Sequence, residues 1–359
     1  MKEKDFAKKL LQWHQTVDRS LPWKGERNPY LVWLSEIILQ QTRAEQGVAY
    51  YLRFKETFPD LKSLALATED DVLRMWQGLG YYTRARNLHH AARYIYHELA
   101  GKFPDNYTAL RKLKGVGPYT AAAIAAFAFN QPCAVVDSNV YRVLSRIFGI
   151  FEPVDSVAGK KFFTSLAERL MDPKAPALYN QAIMDFGAVQ CTPRNPFCEN
   201  CPFKTRCYAF QHQCIELLPI KKKKPARKVR YFHYLVLRHQ GYTYLMHRNG
   251  KDIWKNLYEF PMIEGSRKMS LKEIVLRAEQ NGWILRAAAV TASLSPEFSQ
   301  TLTHQKIHGS FAEIVLHKDA SVAAFLLKIP INSLDNYAFP GIIRKYLQQA
   351  PHLFLLTAE

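Results

Sequence analysis

Four cysteines, Cys191, Cys198, Cys201 and Cys207, fall in one short segment with the spacing C-x6-C-x2-C-x5-C, punctuated by Pro193, Pro196 and Pro202. Four soft thiolates in a loop-rich stretch suit zinc, or iron with sulfide. Zinc ribbons favour two C-x2-C knuckles separated by a longer spacer, and only one such knuckle occurs here. The spacing therefore points to one four-iron four-sulfur (4Fe-4S) cluster. Cys133 and Cys214 lie outside the pattern and read as packing or surface residues. Clustered thiols of this kind suit a reducing compartment better than a disulfide framework, which places the chain inside the cell.

The second chemical feature is a pair of carboxylates. Glu36 interrupts the apolar run Val32-Trp33-Leu34-Ser35-Glu36-Ile37-Ile38-Leu39, where desolvation would favour its protonated form and suit it to general acid work. An exposed Glu on an amphipathic helix is the competing reading, and the residues alone leave both open. Asp137 ends the apolar run Ala134-Val135-Val136 and precedes Ser138-Asn139, the position of a helix N-cap. Capping and catalysis can coexist. An acid beside an anion is what glycosidic-bond cleavage requires, because positive charge develops on the sugar.

The third feature is Leu113-Lys114-Gly115-Val116-Gly117-Pro118, a glycine-rich turn running into a helix at Tyr119. Backbone N–H groups at such a helix start can face an anion, and the missing Cβ atoms at Gly115 and Gly117 let a phosphate approach.

These residues need elements to hold them. Apolar positions at Phe6, Leu10, Trp13 and Val17, and again at Leu88, Ala92, Ile95 and Leu99, follow the helical period, so residues 1 to about 217 read as helical. Asn28-Pro29 is a helix start, since Asn caps free N–H groups and Pro has none to lose; the helix it opens carries Trp33, Glu36 and Gln40. The basic run Lys221 to Lys228, broken by Pro225, reads as a linker over 218–230 that could also touch DNA. Beyond it, segments such as Tyr231 to Arg238 and Tyr242 to Arg248 around Gly241 indicate a strand-rich second domain over 231–359.

The chain has 359 residues and 48% hydrophobic composition, which suits two or three globular domains and excludes wholesale disorder or a fibrous repeat. No apolar stretch is long enough to span a bilayer, and no secretory signal is visible. With 49 Lys plus Arg against 31 Asp plus Glu, the net charge of +18 favours a polyanionic partner through counterion release.

The motifs LPW (21–23), SEIILQQT (35–42), GLGYYTRARNL (78–88), LKGVGPYTAAAI (113–124) and VVDSNVYRVLSR (135–146), with the cysteine spacing, resemble the helix-hairpin-helix DNA glycosylases that carry a cluster loop. Within them the chain is most similar to the adenine DNA glycosylase (MutY) family, across essentially its whole length and most strongly over 20–210. The resemblance implies an all-α helix-hairpin-helix glycosylase domain with an iron-sulfur loop over 1–217, followed by an α+β Nudix-like domain. It implies excision of adenine mispaired with 8-oxoguanine or guanine from double-stranded DNA by a monomer, with the base flipped out of the stack. Glu36 then falls at the acid that protonates adenine at N7, and Asp137 at the carboxylate that stabilises the sugar cation. Tyr119 stands where bifunctional relatives carry a lysine nucleophile, which implies a monofunctional enzyme; Tyr119 and Asn139 would organise the sugar side.

By the same resemblance Gln41, Leu79 and Tyr81 wedge beside the orphaned base, Gly115 and Gly117 hold the DNA backbone, and Trp23, Lys24 and Gln181 line the adenine pocket. The family often has Arg where Lys24 stands. Leu302-Thr303-His304 aligns with a Phe-Ser-His tip that reads 8-oxoguanine, with Leu in place of Phe. Residues 259–283 lack the carboxylate cluster that would hold Mg²⁺ for pyrophosphate cleavage, so binding without hydrolysis is expected of the second domain. Two other activities fit part of the pattern: a bifunctional glycosylase-lyase for oxidised pyrimidines, and a non-enzymatic DNA binder whose cluster senses redox state.

Overall fold

Local chemistry sets the helix boundaries around the chemical residues. In the computed structural model, which describes residues 3–222, 226–284, 289–317 and 319–353, the Asn28 side chain accepts from the Tyr30 N–H at 2.9 Å and Pro29 occupies the first helical position. The middle of the basic run, 223–225, lies outside the described residues. Two compact units are present, Met1–Ala67 with Asn87–Lys223, and Thr68–Arg86 with Lys224–Glu359.

The first unit is helical. Its elements are α1 (Glu3–His14), α2 (Pro29–Leu39), α3 (Ala44–Thr57) and α4 (Leu61–Leu66). After α5 (Glu69–Met75) of the other unit come α6 (Thr83–Glu98), α7 (Tyr107–Leu110), α8 (Pro118–Phe129), α9 (Ser138–Phe148), α10 (Val157–Leu170), α11 (Pro176–Asp185) and α12 (Tyr208–Gln211). Helix α2 stops one residue short of Gln40, which serves as its C-cap, and Gln41 then takes a positive φ of 60°. Every residue from Tyr30 to Ile38 is buried, so α2 is a central helix rather than an amphipathic surface one. It packs against α8, whose Ala121 to Ala126 face is small enough to let the two helices approach closely. A separate core joins α1, α9, α10 and α11 through Phe6, Leu10, Val143, Phe163 and Ile183.

The second unit is built on a mixed sheet ordered β4-β1-β7-β5, with β6 also paired to β7: β1 Lys228–Arg238, β4 Met262–Gly265, β5 Ala289–Leu294, β6 Phe298–Thr301 and β7 Gln305–Leu316. Strands β1 and β7 run parallel from Lys228↔Gln305 to Arg238↔Val315, and the other pairs are antiparallel. A smaller sheet holds β3 (Tyr258–Glu259), β2 (Tyr242–His247) and β8 (Leu327–Pro330). Alternation along β1 explains the layering: Phe232, Tyr234 and Val236 pack under α14 (Gly341–Gln349), while Leu235 and Leu237 pack under α13 (Leu271–Gln280). Within α13 the Glu273 carboxylate is taken up by a capping box with Ser270 and by Arg267, which hold it down to about 2. Residues 68–86 join this unit through Tyr82, whose hydroxyl donates to the Phe339 carbonyl at 3.0 Å, and Arg86, whose guanidinium donates to the Lys255 carbonyl at 2.5 Å.

Candidate active site

Three helix termini converge on one cleft of about 1420 Å³ in the first unit, larger than the roughly 300 to 1,000 Å³ of small-molecule pockets and open enough for a piece of polymer. Ten of the residues singled out in the sequence line it: Trp23, Lys24, Glu36, Gln41, Gly115, Gly117, Tyr119, Asp137, Asn139 and Gln181. Glu36 comes from α2, Tyr119 from the first turn of α8, and Asp137 caps α9, its Oδ1 accepting from the Asn139 and Val140 N–H groups at 2.9 and 2.8 Å.

The electrostatics separate the two carboxyls. Glu36 is 6% exposed, and burial pushes it up to about 7; the Tyr119 hydroxyl bonded to it works in the opposite direction and the charge of Asp137 raises it further. Asp137 is half-buried and also raised by burial. Against that, its oxygens collect the two N–H groups and the Asn139 side-chain amide, at 2.8 Å, and Arg142 stands nearby. Near neutral pH the cleft thus holds one carboxyl poised to donate a proton and one supplied with donors that favour its anion, an arrangement that assigns acid and anion roles by environment. The Tyr119 hydroxyl is itself pushed well above its ordinary value by burial and by both carboxylates.

The glycine turn joins α7 to α8 as a helical hairpin. Gly115 has φ +81° and a Cβ there would lie 2.7 Å from the Asn87 Cβ, so both conformation and space demand glycine. Gly117 caps α8 with nothing within 4 Å of a virtual Cβ, which leaves the helix N-terminus open to an anion.

The four cysteines surround a small apolar cavity with Ile147, Phe186 and Phe210 on its walls. All six cysteines of the chain are free. Among the described residues no group of three His, Cys, Asp or Glu is arranged to hold a metal ion. Four thiols lining one apolar cavity are nevertheless soft donors of the kind that take zinc, or iron with sulfide. Arg146 supplies a charge-assisted donor to the Cys191 Sγ at 3.6 Å, and the Phe203 N–H donates to the Cys201 Sγ at 3.4 Å, the hydrogen bonds that stabilise ligating thiolates. Without a bound cation, burial pushes the Cys201 thiol up to about 12.

The sequence reading missed the residues that tie these features together. Arg142 is buried; it donates to Asn139 Oδ1 at 2.8 Å, to the Gly187 carbonyl at 2.6 Å and to the Cys191 carbonyl at 2.8 Å, linking the Asp137 turn to the cysteine loop. Arg146, one turn on, holds the Thr192 and Pro193 carbonyls at 2.7 and 3.0 Å. Their i, i+4 spacing on α9 was the available signal. Asp185 was also missed. It is fully buried behind the cleft and pairs with Arg19 at 2.8 Å and Lys24 at 2.7 Å.

The remaining candidates lie in the second unit. Thr303 and His304 are exposed at the turn between β6 and β7, and the Tyr81 hydroxyl hydrogen-bonds to that of Thr303. Tyr81 is 49% exposed with φ 47°, whereas Leu79 is buried at 8% and Leu302 packs against the core under α14.

A model of the HhH-GPD superfamily base excision DNA repair proteins matches residues 34–163, and a NUDIX domain model matches residues 233–349. The adenine DNA glycosylase of Buchnera aphidicola subsp. Baizongia pistaciae is 32% identical over 320 residues, 87% of this chain and 87% of its own. The mouse adenine DNA glycosylase is 41% identical over 215 residues, 57% of this chain and 42% of its own. Among solved structures, a thermostable thymine-DNA glycosylase aligns with a TM-score of 0.55 and 30% identity over 58% of this chain and 97% of that one. An endonuclease III in a non-covalent DNA complex shares the fold, with a TM-score of 0.52 and 18% identity over 59% of this chain and 98% of that one.

Proposed function

Since the chain belongs to the adenine DNA glycosylase family of base excision repair, we propose that it hydrolyses the N-glycosidic bond of adenine mispaired with 8-oxoguanine or guanine, on a nucleotide flipped into the Glu36–Asp137 cleft. The observation that carries this reading is a buried carboxyl held at about 7 beside a second carboxyl furnished with N–H donors. Glu36 donates its proton to adenine N7 while the C–N bonding pair leaves with the base. The sugar becomes oxocarbenium-like, and the Asp137 anion opposes that charge. Water adds at the anomeric carbon and its surplus proton returns to Glu36, so the cycle closes with free adenine and an abasic site.

Tyr119 has no amine with which to form a Schiff base, and its hydroxyl is engaged with Glu36, which supports a monofunctional glycosylase without strand cleavage. Asn139 positions Asp137 through the 2.8 Å hydrogen bond that its side-chain NH₂ donates to Asp137 Oδ2. Trp23, Lys24 and Gln181 form the adenine pocket, the open N-terminus at Gly117 receives a DNA phosphate, and the residue that acts at the vacated stack from this unit is Gln41. The exposed Tyr81 is the DNA-contacting residue of the 78–82 loop, whereas Leu79 is buried and packs. Thr303 and His304 are the reader of 8-oxoguanine. Cys191, Cys198, Cys201 and Cys207 are the residues that would hold one 4Fe-4S cluster, which when bound pins the loop carrying Arg194, Lys204 and Arg206.

The test is incubation of the protein with a duplex holding a single 8-oxoguanine:adenine or guanine:adenine pair, followed by alkali. Strand breaks at the adenine position should appear only after alkali. Breaks without alkali would indicate a lyase, and intact strands after alkali would leave only a binding protein.

A further inference from the structure

Gln181 and Asp185 stand one turn apart on α11, and the direction of the hydrogen bond between them bears on which base the cleft accepts. The Asp185 oxygens receive Arg19 Nη1 at 2.8 Å and Lys24 Nζ at 2.7 Å, with His14 Nδ1 at 3.8 Å. A carboxylate offers acceptors only, so the Gln181 amide can meet it solely through its NH₂ end. Accordingly Gln181 Nε2 donates to Asp185 Oδ2 at 3.2 Å. With Nε2 engaged by Asp185, Oε1 is the acceptor that Gln181 has left to offer to the cleft it lines.

We propose that Asp185 is a positioning residue for base selection, locking Gln181 with its acceptor outward so that the cleft takes a purine bearing an amino group at C6 and rejects one bearing a carbonyl there. This rests on the proposed placement of Gln181 in the adenine pocket. Adenine presents N7 and the C6 amino group on one edge, so the base that receives the Glu36 proton at N7 also offers an N–H to Gln181 Oε1. A purine with a C6 carbonyl sets oxygen against oxygen at Gln181 Oε1 and leaves that acceptor unpaired. Sites built to pair a substrate N–H reject analogues that lack it far more strongly than apolar pockets reject a missing methylene. Arg19 and Lys24 matter to selection through their ion pairs with Asp185.

The experiment compares single-turnover excision of adenine and of hypoxanthine, which differ in the C6 amino group against a carbonyl, from otherwise identical duplexes opposite 8-oxoguanine. In Asp185→Asn the new amide can donate, Gln181 can turn over, and the adenine-to-hypoxanthine rate ratio should fall at least about tenfold from that of the unaltered protein. The pH at which adenine excision declines should stay where Glu36 sets it. Gln181→Met keeps the Asp185 ion pairs and removes the amide, so it should lower the same ratio through the adenine rate. A folded Asp185→Asn protein that retains the ratio, or loses both rates equally, overturns the assignment. If that variant does not fold, an unchanged ratio in Gln181→Met overturns it. Absence of adenine release by the unaltered protein would instead overturn the proposed function.

Discussion

Replacing Glu36 by Gln separates the chemistry of the buried carboxyl from its effect on stability. Folding moves the group from an ordinary 4.5 to about 7. A carboxyl whose folded value is raised binds its proton more tightly in the native state, so stability is fully present below the unfolded value, declines as pH climbs from 4.5 toward 7, and is lost above. At about 1.36 kcal/mol per pH unit, the rise of about 2.5 corresponds to about 3 kcal/mol. Solvent screening removes little of this, because Glu36 is 6% exposed. Gln retains the volume and an oxygen that can accept from Tyr119, but it never ionises. Glu36→Gln should therefore match the unaltered protein to within about 1 kcal/mol near about pH 5 and exceed it by up to about 3 kcal/mol near about pH 8.5. At roughly 2–4 °C per kcal/mol for a unit of about 200 residues, Tm would rise by about 6–12 °C at the higher pH. Adenine release should fall at the same time by roughly 10² to 10⁴-fold. The assay is denaturant or thermal unfolding of both proteins across the pH range, where all other titrating groups cancel in the difference. Parallel stability profiles would refute the desolvation of Glu36 and, with it, its assignment as the acid.

Single-turnover adenine excision by the unaltered protein should decline about tenfold per unit above about pH 7, as Glu36 loses its proton, and fall again in acid, as Asp137 gains one. Asp137→Asn should leave Tm nearly unchanged, since Asn is an equally good N-cap for α9, yet cost at least about 10²-fold in excision; a Tm drop that tracks the rate loss would reduce Asp137 to a cap. Purified protein should contain about four iron and four sulfide per chain, and Cys198→Ser should lower both, whereas stoichiometric zinc without sulfide would exclude the cluster. Thr303→Ala with His304→Ala should lower the excision-rate ratio of 8-oxoguanine:adenine over guanine:adenine duplexes by about tenfold, from hydrogen bonds worth about 0.5–1.5 kcal/mol each; an unchanged ratio would remove the turn between β6 and β7 as the reader.

Much of this protein was legible along the chain because the determining interactions are local. Asn28-Pro29 opens α2, Gly117-Pro118 opens α8 and Asp137 caps α9 through bonds that span two or three residues, so residue order alone specifies them. The cysteine spacing and the apolar run around Glu36 are local in the same sense. What the tertiary structure decided is whatever depends on distant segments meeting. The burial that raises Glu36 exists because α2 lies against α8, and Asp185 takes its charge partner Arg19 from a position 166 residues away. Arg142 reaches Cys191 across 49 residues, and β1 finds β7 as a parallel partner across the intervening strands. Residues 68–86, helical by pattern, join the sheet unit through Tyr82 and Arg86. Side-chain type and period say what a residue can bond or bury, but the identity of a distant partner follows only from how the chain closes its loops, and no local pattern encodes that.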